Sequence, residues 1–161
     1  MSEHIKTIDE VVSIIGDFGK RRKSVVTTNG SFDILHAGHV DLLEKARQEG
    51  DILVVLLNSD ASIKKNKGEK RPIISEDERA TVVAGLRAVD YVVIFYEDKP
   101  LTYLKKIRPD VHVKGGTYIP ERTAEEEILV RSWGGRYKYF ELREGLSSTE
   151  IIERIVERYR N

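Results

Sequence analysis

The chain has 161 residues, 40% apolar and 34% charged, with 27 basic and 27 acidic side chains and a formal net charge of zero. That length supports one ordinary domain with a real core, and that composition excludes a disordered chain. The balanced charge argues against nucleic acid as a partner, and the absence of cysteine excludes disulfides, thiol catalysis and thiolate metal sites.

The longest apolar run, Ile52 to Leu57, is far too short to span a bilayer, so no membrane segment is expected. Met1 to Lys6 lacks the apolar centre of a signal peptide. The expected compartment is the cytoplasm.

In chain order, Thr7 and Glu10 form a capping-box pattern before Ile8, Val11, Val12 and Ile15 at helical spacing. This helix should end near Phe18-Gly19. Lys20 to Lys23 is a basic cluster that reads as a solvated helix end. Ser24 to Thr28 is a short β-branched run, hence the first strand. A helix follows to about Glu49, with Gly50 placed to terminate it. Asp51 to Leu57 is a continuous apolar run, as expected for a strand buried on both faces. Ala61 to Arg71 is polar and basic and reads as a loop with a short helix at its start. Ser75 and Glu78 form a second capping box, opening a helix to about Ala88.

Tyr91 to Phe95 is the third strand, Lys99 to Ile107 a helix stopped by Pro109, and Val111 to Val113 the fourth strand. Glu125 to Ser132 is helical, Gly134-Gly135 ends it, and Tyr137 to Phe140 is the fifth strand. The last helix starts at Ser147 to Glu150 and should turn Ile151, Ile152, Ile155 and Val156 to the core.

Strand and helix alternate throughout, which predicts a single-domain, Rossmann-like α/β fold. Its five-stranded sheet would be parallel and doubly wound, with helices on both faces. The expected domain covers residues 1–161, with an N-terminal helix at about 7–19 and an α/β core over about 24–161. In such sheets ligands bind beyond the carboxyl ends of the strands, at the point where strand order reverses. Four polar stretches leave those ends: Thr28 to His39, Asn58 to Arg71, Lys114 to Tyr118 and Gly145 to Thr149. They should meet in one cleft.

The stretch Thr28-Asn29-Gly30-Ser31-Phe32-Asp33-Ile34-Leu35-His36-Ala37-Gly38-His39 joins a strand to a helix start. Helix N-termini offer unpaired N–H groups and partial positive charge, and glycine lets a ligand approach the backbone. With two imidazoles added, the stretch suits a polyphosphate. Metal ligation would need a third ligand, and the remaining histidines, His4 and His112, sit in no supporting motif, so no protein-held metal is expected.

Gly30 to His39 resembles the signature of the cytidylyltransferase-like nucleotidyltransferases, and the resemblance runs from Val25 to Glu157. Asn58 to Ser62, Lys67-Gly68, Arg71-Pro72, Ala88-Val89-Asp90, Glu97 to Pro100, Arg108-Pro109-Asp110, Val113 to Gly116 and Ser147 to Thr149 look most like one branch. That branch is the D-glycero-β-D-manno-heptose 1-phosphate adenylyltransferases, found as separate proteins or as one domain of a bifunctional enzyme. The resemblance implies that ATP and a sugar 1-phosphate give an ADP-sugar and pyrophosphate, with Mg²⁺ carried mainly by the ATP phosphates. It also implies a homodimer.

A phosphate nucleophile is already anionic near neutral pH, so the chemistry needs alignment and charge stabilisation more than a base. On this reading His36, His39 and Lys67 are the catalytic candidates. Asn29, Gly30, Ser31, Phe32, Gly38 and Lys65 would hold the nucleotide phosphates, with backbone N–H groups of Ser31 and Phe32 as the cradle and the Phe32 ring packed beneath the loop. Ser147, Ser148 and Thr149 would bind phosphate through hydroxyls and N–H groups, a role compatible with capping the last helix. Lys114, Gly115 and Gly116 lie where base and ribose should rest, although Gly-Gly is equally a turn.

Asp33, Asn58, Asp60, Arg71 and Tyr118 are candidates for the phosphorylated substrate. Arg79 and Arg87 join them or lie on exposed helix faces; Arg87 matches an arginine of the related glycerol-phosphate cytidylyltransferases. Arg143 is a weaker candidate on similar grounds.

Two other enzymatic readings use the same apparatus: CTP with glycerol 3-phosphate, and ATP with FMN as in FAD synthetases. A nucleotide-binding module without turnover is the non-enzymatic alternative.

Overall fold

The computed structural model describes residues 2–116, 119–142 and 144–160. In chain order the elements are α1 (Ile8–Ile15), β1 (Val25–Gly30), α2 (Ala37–Arg47), β2 (Ile52–Asn58), α3 (Asp60–Lys67) and α4 (Glu76–Ala84). They continue as β3 (Tyr91–Phe95), α5 (Leu101–Ile107), β4 (Val111–Gly115), α6 (Pro120–Ser132), β5 (Arg136–Phe140) and α7 (Ser148–Tyr159). All strand pairs are parallel, and the sheet order is β3-β2-β1-β4-β5. No helix among the described residues is long and apolar enough to cross a membrane.

Strand period two divides the core between the two faces of the sheet. Leu53, Val55 and Leu57 of β2 pack with Leu42, Leu43 and Ala46 of α2 and with Ala80 and Val83 of α4. Val54 and Leu56 point the other way, to Val11 and Ile15 of α1, Leu104 and Ile107 of α5, and Val130 of α6. The sheet is therefore covered on both sides, the arrangement expected of continuous apolar strands.

The direction of travel along the sheet reverses at β1, which has β2 on one side and β4 on the other. The β1–β2 ladder runs to the pair Gly30–Leu57, whereas the β1–β4 ladder stops at Thr28–Val113. Past that point the sheet forks, and the fork opens at the carboxyl ends of both strands. This is the place where a doubly wound sheet accepts a ligand.

Several boundaries differ from the sequence reading, each for a local reason. Helix α1 stops at Ile15 because Gly16 takes φ 71°, a left-handed conformation that costs glycine little. The stretch after β2 is a full helix, because Ser59 caps it by accepting a hydrogen bond from the Ser62 N–H. Helix α6 begins at Pro120, five residues earlier than Glu125, since proline suits a first helical turn. Helix α7 departs most: Ile155 and Val156, expected in the core, are 50% and 53% exposed. Ile151 and Ile152 are half-buried, so only the outer part of its apolar stripe lies on the surface, and its Ser148 end packs inward.

Candidate active site

The loop after β1 is held in an uncommon conformation. Phe32 has φ 47°, unusual for a side chain of its size, and its ring is buried beneath the loop. The ring lies 5.0 Å from that of His39. Asp33 ties the loop to the segment between α3 and α4. One carboxylate oxygen accepts the N–H groups of Ile73 and Ile74 at 2.8 and 3.0 Å, and the other meets Arg71 Nε at 2.6 Å. Burial would raise the Asp33 carboxyl, but these hydrogen bonds outweigh it and hold it below the usual range. Ser148 clasps the loop from the opposite end of the chain. Its hydroxyl donates to the Ile34 carbonyl and accepts from the Ile34 N–H, both at 3.2 Å.

The two histidines come from the start of α2. His36 occupies the cap position without a side-chain cap bond, so the Ala37 and Gly38 N–H groups keep their anion-binding potential, while that of His39 donates to the His36 carbonyl at 3.0 Å. Its ring stacks on that of His39 with centroids 3.7 Å apart and 24° between planes. Both Nδ1 atoms are buried without a hydrogen-bond partner. Protonation on Nε2 leaves only an unpaired acceptor inside and turns an N–H outward. Burial lowers the pKa of both rings; for His39, neighbouring His36 and Lys67 add to the effect and bring it to about 4. Both are therefore neutral hydrogen-bond donors at pH 7.

Lys67, at the end of α3, has a depressed ammonium pKa, from partial desolvation and then from Arg71 and Arg79, with Asp33 opposing. Lys67 also lines a cleft of about 790 Å³ at the sheet fork, with Asn29, Lys114, Gly115, Glu126 and Tyr139 among the other walls. It is thus common to the histidine loop and the cleft.

The far wall of the cleft is a buried polar network. Asn29 Oδ1 accepts from Lys114 Nζ at 2.7 Å and lies 3.2 Å from His112 Nε2. Glu126, on α6, meets Lys114 Nζ at 3.2 Å, His112 Nε2 at 3.5 Å and the Tyr137 hydroxyl at 3.1 Å. Burial pushes the Glu126 carboxyl up, but the hydrogen bond from His112 and the charge of Lys114 prevail and hold it at about 2. Burial lowers the Lys114 ammonium, with Glu126 opposing.

The cytidylyltransferase-like sequence profile matches residues 27–154. The chain belongs to the cytidylyltransferase-like family. It is 55% identical over 140 residues to the bifunctional protein HldE of Syntrophotalea carbinolica, covering 87% of this chain and 28% of that protein. It is 51% identical over 155 residues to the HldE of Pelobacter propionicus, covering 96% of this chain and 32% of that protein. The chain thus spans about a third of the length of these relatives.

Among solved structures, a lipopolysaccharide core biosynthesis protein from Thermoplasma volcanium GSS1 superposes with TM-score 0.62 at 28% identity, over 75% of this chain and 97% of that one. Pantoate-beta-alanine ligase from Francisella tularensis shares the fold, with TM-score 0.64 at 18% identity over 99% of this chain and 80% of that one.

In this cytidylyltransferase-like chain the fold gathers some of the expected site residues and diverts others. His36, His39, Gly38, Lys67 and Arg71 lie together, with Thr149 Oγ1 3.5 Å from Arg71 Nη1. Asn29, Lys114 and Gly115 line the cleft. Ser147 caps α7, accepting the Glu150 N–H, and Ser148 is engaged with Ile34, so the hydroxyls of both already have partners within the chain. Gly30 and Gly38 are bare for packing reasons as well: a Cβ would come within 3.0 Å of the Phe32 ring and 3.1 Å of the His36 ring. At Gly115 it would strike Leu42 at 2.5 Å, and Gly116 turns the chain with φ 108°. The Ser31 carbonyl accepts from Arg79.

Three substrate-binding expectations, at Arg79, Asp33 and Arg87, are corrected. Arg79 is fully buried and gives its donors to the carbonyls of Ile74, Ser31 and Asn58 and to Asp60 Oδ1, leaving its guanidinium no access to a ligand. Asp60 is its ion partner. Asp33, 1% exposed at its side chain, is the internal tie already described. Arg87 follows α4 and precedes β3, at the amino end of the sheet away from the site, and its 94% exposed side chain reaches only toward Glu44.

Lys65 points outward to Asp98, and Asn58 Nδ2 donates to Ser62. Tyr118 and Arg143 lie outside the described residues. The sequence reading assigned His112 no role and did not single out Glu126. Histidine in Val111-His112-Val113, a strand buried on both faces, was the available signal. Nothing in the evenly charged pattern of α6 marks Glu126 as buried.

Proposed function

We propose that this chain is a nucleotidyltransferase that joins ATP to a sugar 1-phosphate, giving an ADP-sugar and pyrophosphate. The sugar phosphate is D-glycero-D-manno-heptose 1-phosphate, in keeping with the sequence resemblance and the identity to HldE proteins. The observation that carries the reading is the stacked His36–His39 pair beside Lys67, at the mouth of a cleft large enough for a nucleotide.

A phosphate oxygen of the sugar phosphate attacks the α-phosphorus of ATP, its bond to the bridging oxygen breaks, and pyrophosphate leaves. His36 and His39 donate from Nε2 to the oxygens that gain charge. Lys67 and Arg71 stabilise the departing pyrophosphate. No general base is required, which suits two imidazoles that are neutral and inward-facing at Nδ1. A divalent ion fits as a companion of the triphosphate. Mg²⁺ would then arrive and leave with the phosphates, supplying charge neutralisation. Two copies of the chain acting as a homodimer belong to the same reading, and light scattering of the purified protein tests it.

Pyrophosphate release measured with Mg²⁺, ATP or CTP, and a panel of phosphates tests the activity. Release with ATP and heptose 1-phosphate is expected. Release only with CTP and glycerol 3-phosphate, or only with FMN, would replace the substrates. Nucleotide binding without release from any phosphate would make the chain a binding module.

A further inference from the structure

Lys114 and Asn29 line the nucleotide cleft, but neither sets its own state. Asn29 Oδ1 is occupied by two donors, Lys114 Nζ at 2.7 Å and His112 Nε2 at 3.2 Å. An oxygen holding two donors fixes the carboxamide, so its NH₂ is left to face the cleft that Asn29 lines. His112 is itself fixed. Its Nε2 faces two acceptors, Asn29 Oδ1 and the Glu126 carboxylate, which places the ring proton there, and its Nδ1 accepts from the Thr27 hydroxyl at 2.7 Å. Glu126 reaches down from α6, 4% exposed, and pairs with the Lys114 ammonium. The pair carries no net charge, and His112, wholly buried, stays neutral.

The opposite end of the site differs: Lys67 and Arg71 stand there together, with the Asp33 carboxylate buried against Arg71. The site therefore runs from a cationic end to a neutral, donor-rich end.

We infer that Glu126 and His112 are positioning residues for the nucleoside half of the nucleotide, cancelling the Lys114 charge and fixing the Asn29 carboxamide so that this wall offers hydrogen-bond donors to uncharged acceptors. The inference rests on the nucleotide-cleft reading above and adds two residues to it. Glu126 acts through Lys114, and His112 acts through Asn29. Neither needs to touch the ligand.

Calorimetric titration of the full chain with ATP, AMP and inorganic tripolyphosphate separates the two ends. Glu126→Gln keeps an acceptor for Tyr137 but leaves Lys114 uncompensated. AMP and ATP should each bind about 3- to 10-fold more weakly, and tripolyphosphate should stay within about 2-fold of wild type. His112→Leu should give the same AMP-selective loss. Because a lone buried lysine can unfold a chain, Lys114→Met/Glu126→Gln removes the pair as a unit. Its AMP loss should match that of Lys114→Met alone, since Glu126 acts through Lys114. Unchanged AMP affinity, an equal shift for tripolyphosphate, or multiplied losses in the double variant would each overturn the inference. Wild-type protein that binds neither ATP nor AMP would overturn the nucleotide cleft itself, and this wall with it.

Discussion

His36 and His39 stack ring on ring at 3.7 Å, so each imidazole is the other's support. Both Nδ1 atoms are enclosed and unpaired, so on the proposed function the pair would work through Nε2 alone. His39→Ala should cost about 10²–10³-fold in kcat, the usual loss for one well-aimed donor in a charge-stabilising site. Because removing His39 also frees the His36 ring, His36→Ala/His39→Ala should cost far less than the product of the single losses. Pyrophosphate release by the three variants, with circular dichroism to confirm the fold, checks both statements.

Gly38 lies against that stack. A Cβ there would stand 3.1 Å from His36 Cε1 and Nδ1 and 3.3 Å from Leu146 Cβ. Gly38→Ala should therefore tilt the His36 ring without unfolding the helix. A displaced catalytic group can cost up to about 10²-fold in rate. We expect a fall in kcat approaching that size, with the melting temperature changed by only a few degrees.

Arg79 should behave in the opposite way. Its side chain is fully buried, donates to three carbonyls and pairs with Asp60. Arg79→Met leaves those acceptors and a carboxylate without their partner, a loss of about 3–5 kcal/mol for a broken buried pair. Urea unfolding measures it. Arg87→Ala, at the exposed far end of the sheet, should stay within about 0.5 kcal/mol of wild type and leave turnover unchanged.

The buried histidines give stability a particular pH dependence. The folded pKa of His39, about 4, lies below its ordinary 6.5, so between those values the unfolded chain binds more protons. The contribution is complete above 6.5, is lost as pH falls through the window, and is level below 4. His36 and His112, also lowered, act on the same side of 6.5. Glu126, held at about 2 against 4.5, adds a further loss below 4.5. Urea midpoints from pH 7.5 to 4 should fall steadily, and His39→Gln should flatten part of that slope. A midpoint independent of pH between 6.5 and 4.5 would contradict the assigned environments.

The order of strands and helices was legible because apolar periodicity and capping boxes are local. Ser75 with Glu78 and the run Ile52 to Leu57 name their own elements. The glycine-histidine loop was legible for the same reason. What could not be read was the destination of long charged side chains. Arg79 and Arg87 lie eight positions apart at and beyond one helix, yet one is fully buried and the other almost fully exposed. Only the packing of α4 against the β1 loop and the start of α3 decides which is which. Glu126 is the same case: its partners Lys114 and His112 come from another strand, and no spacing within α6 points to them. The apolar stripe of α7 misled in the other direction, since periodicity says that a face exists and not that anything covers it.

The Ser148 clasp on Ile34 has a bearing on synthesis. The two residues stand 114 positions apart, and the hydroxyl holds both backbone groups of Ile34. A growing chain can build β1, α2 and β2 early, because those pairings are close in sequence. Its histidine loop has the Asp33 tie and the buried Phe32 ring to hold it, and gains the Ile34 clasp only when residues 147–159 have been made and folded back. A product stalled before α7 would carry His36, His39 and Lys67 and lack the fastening at Ile34.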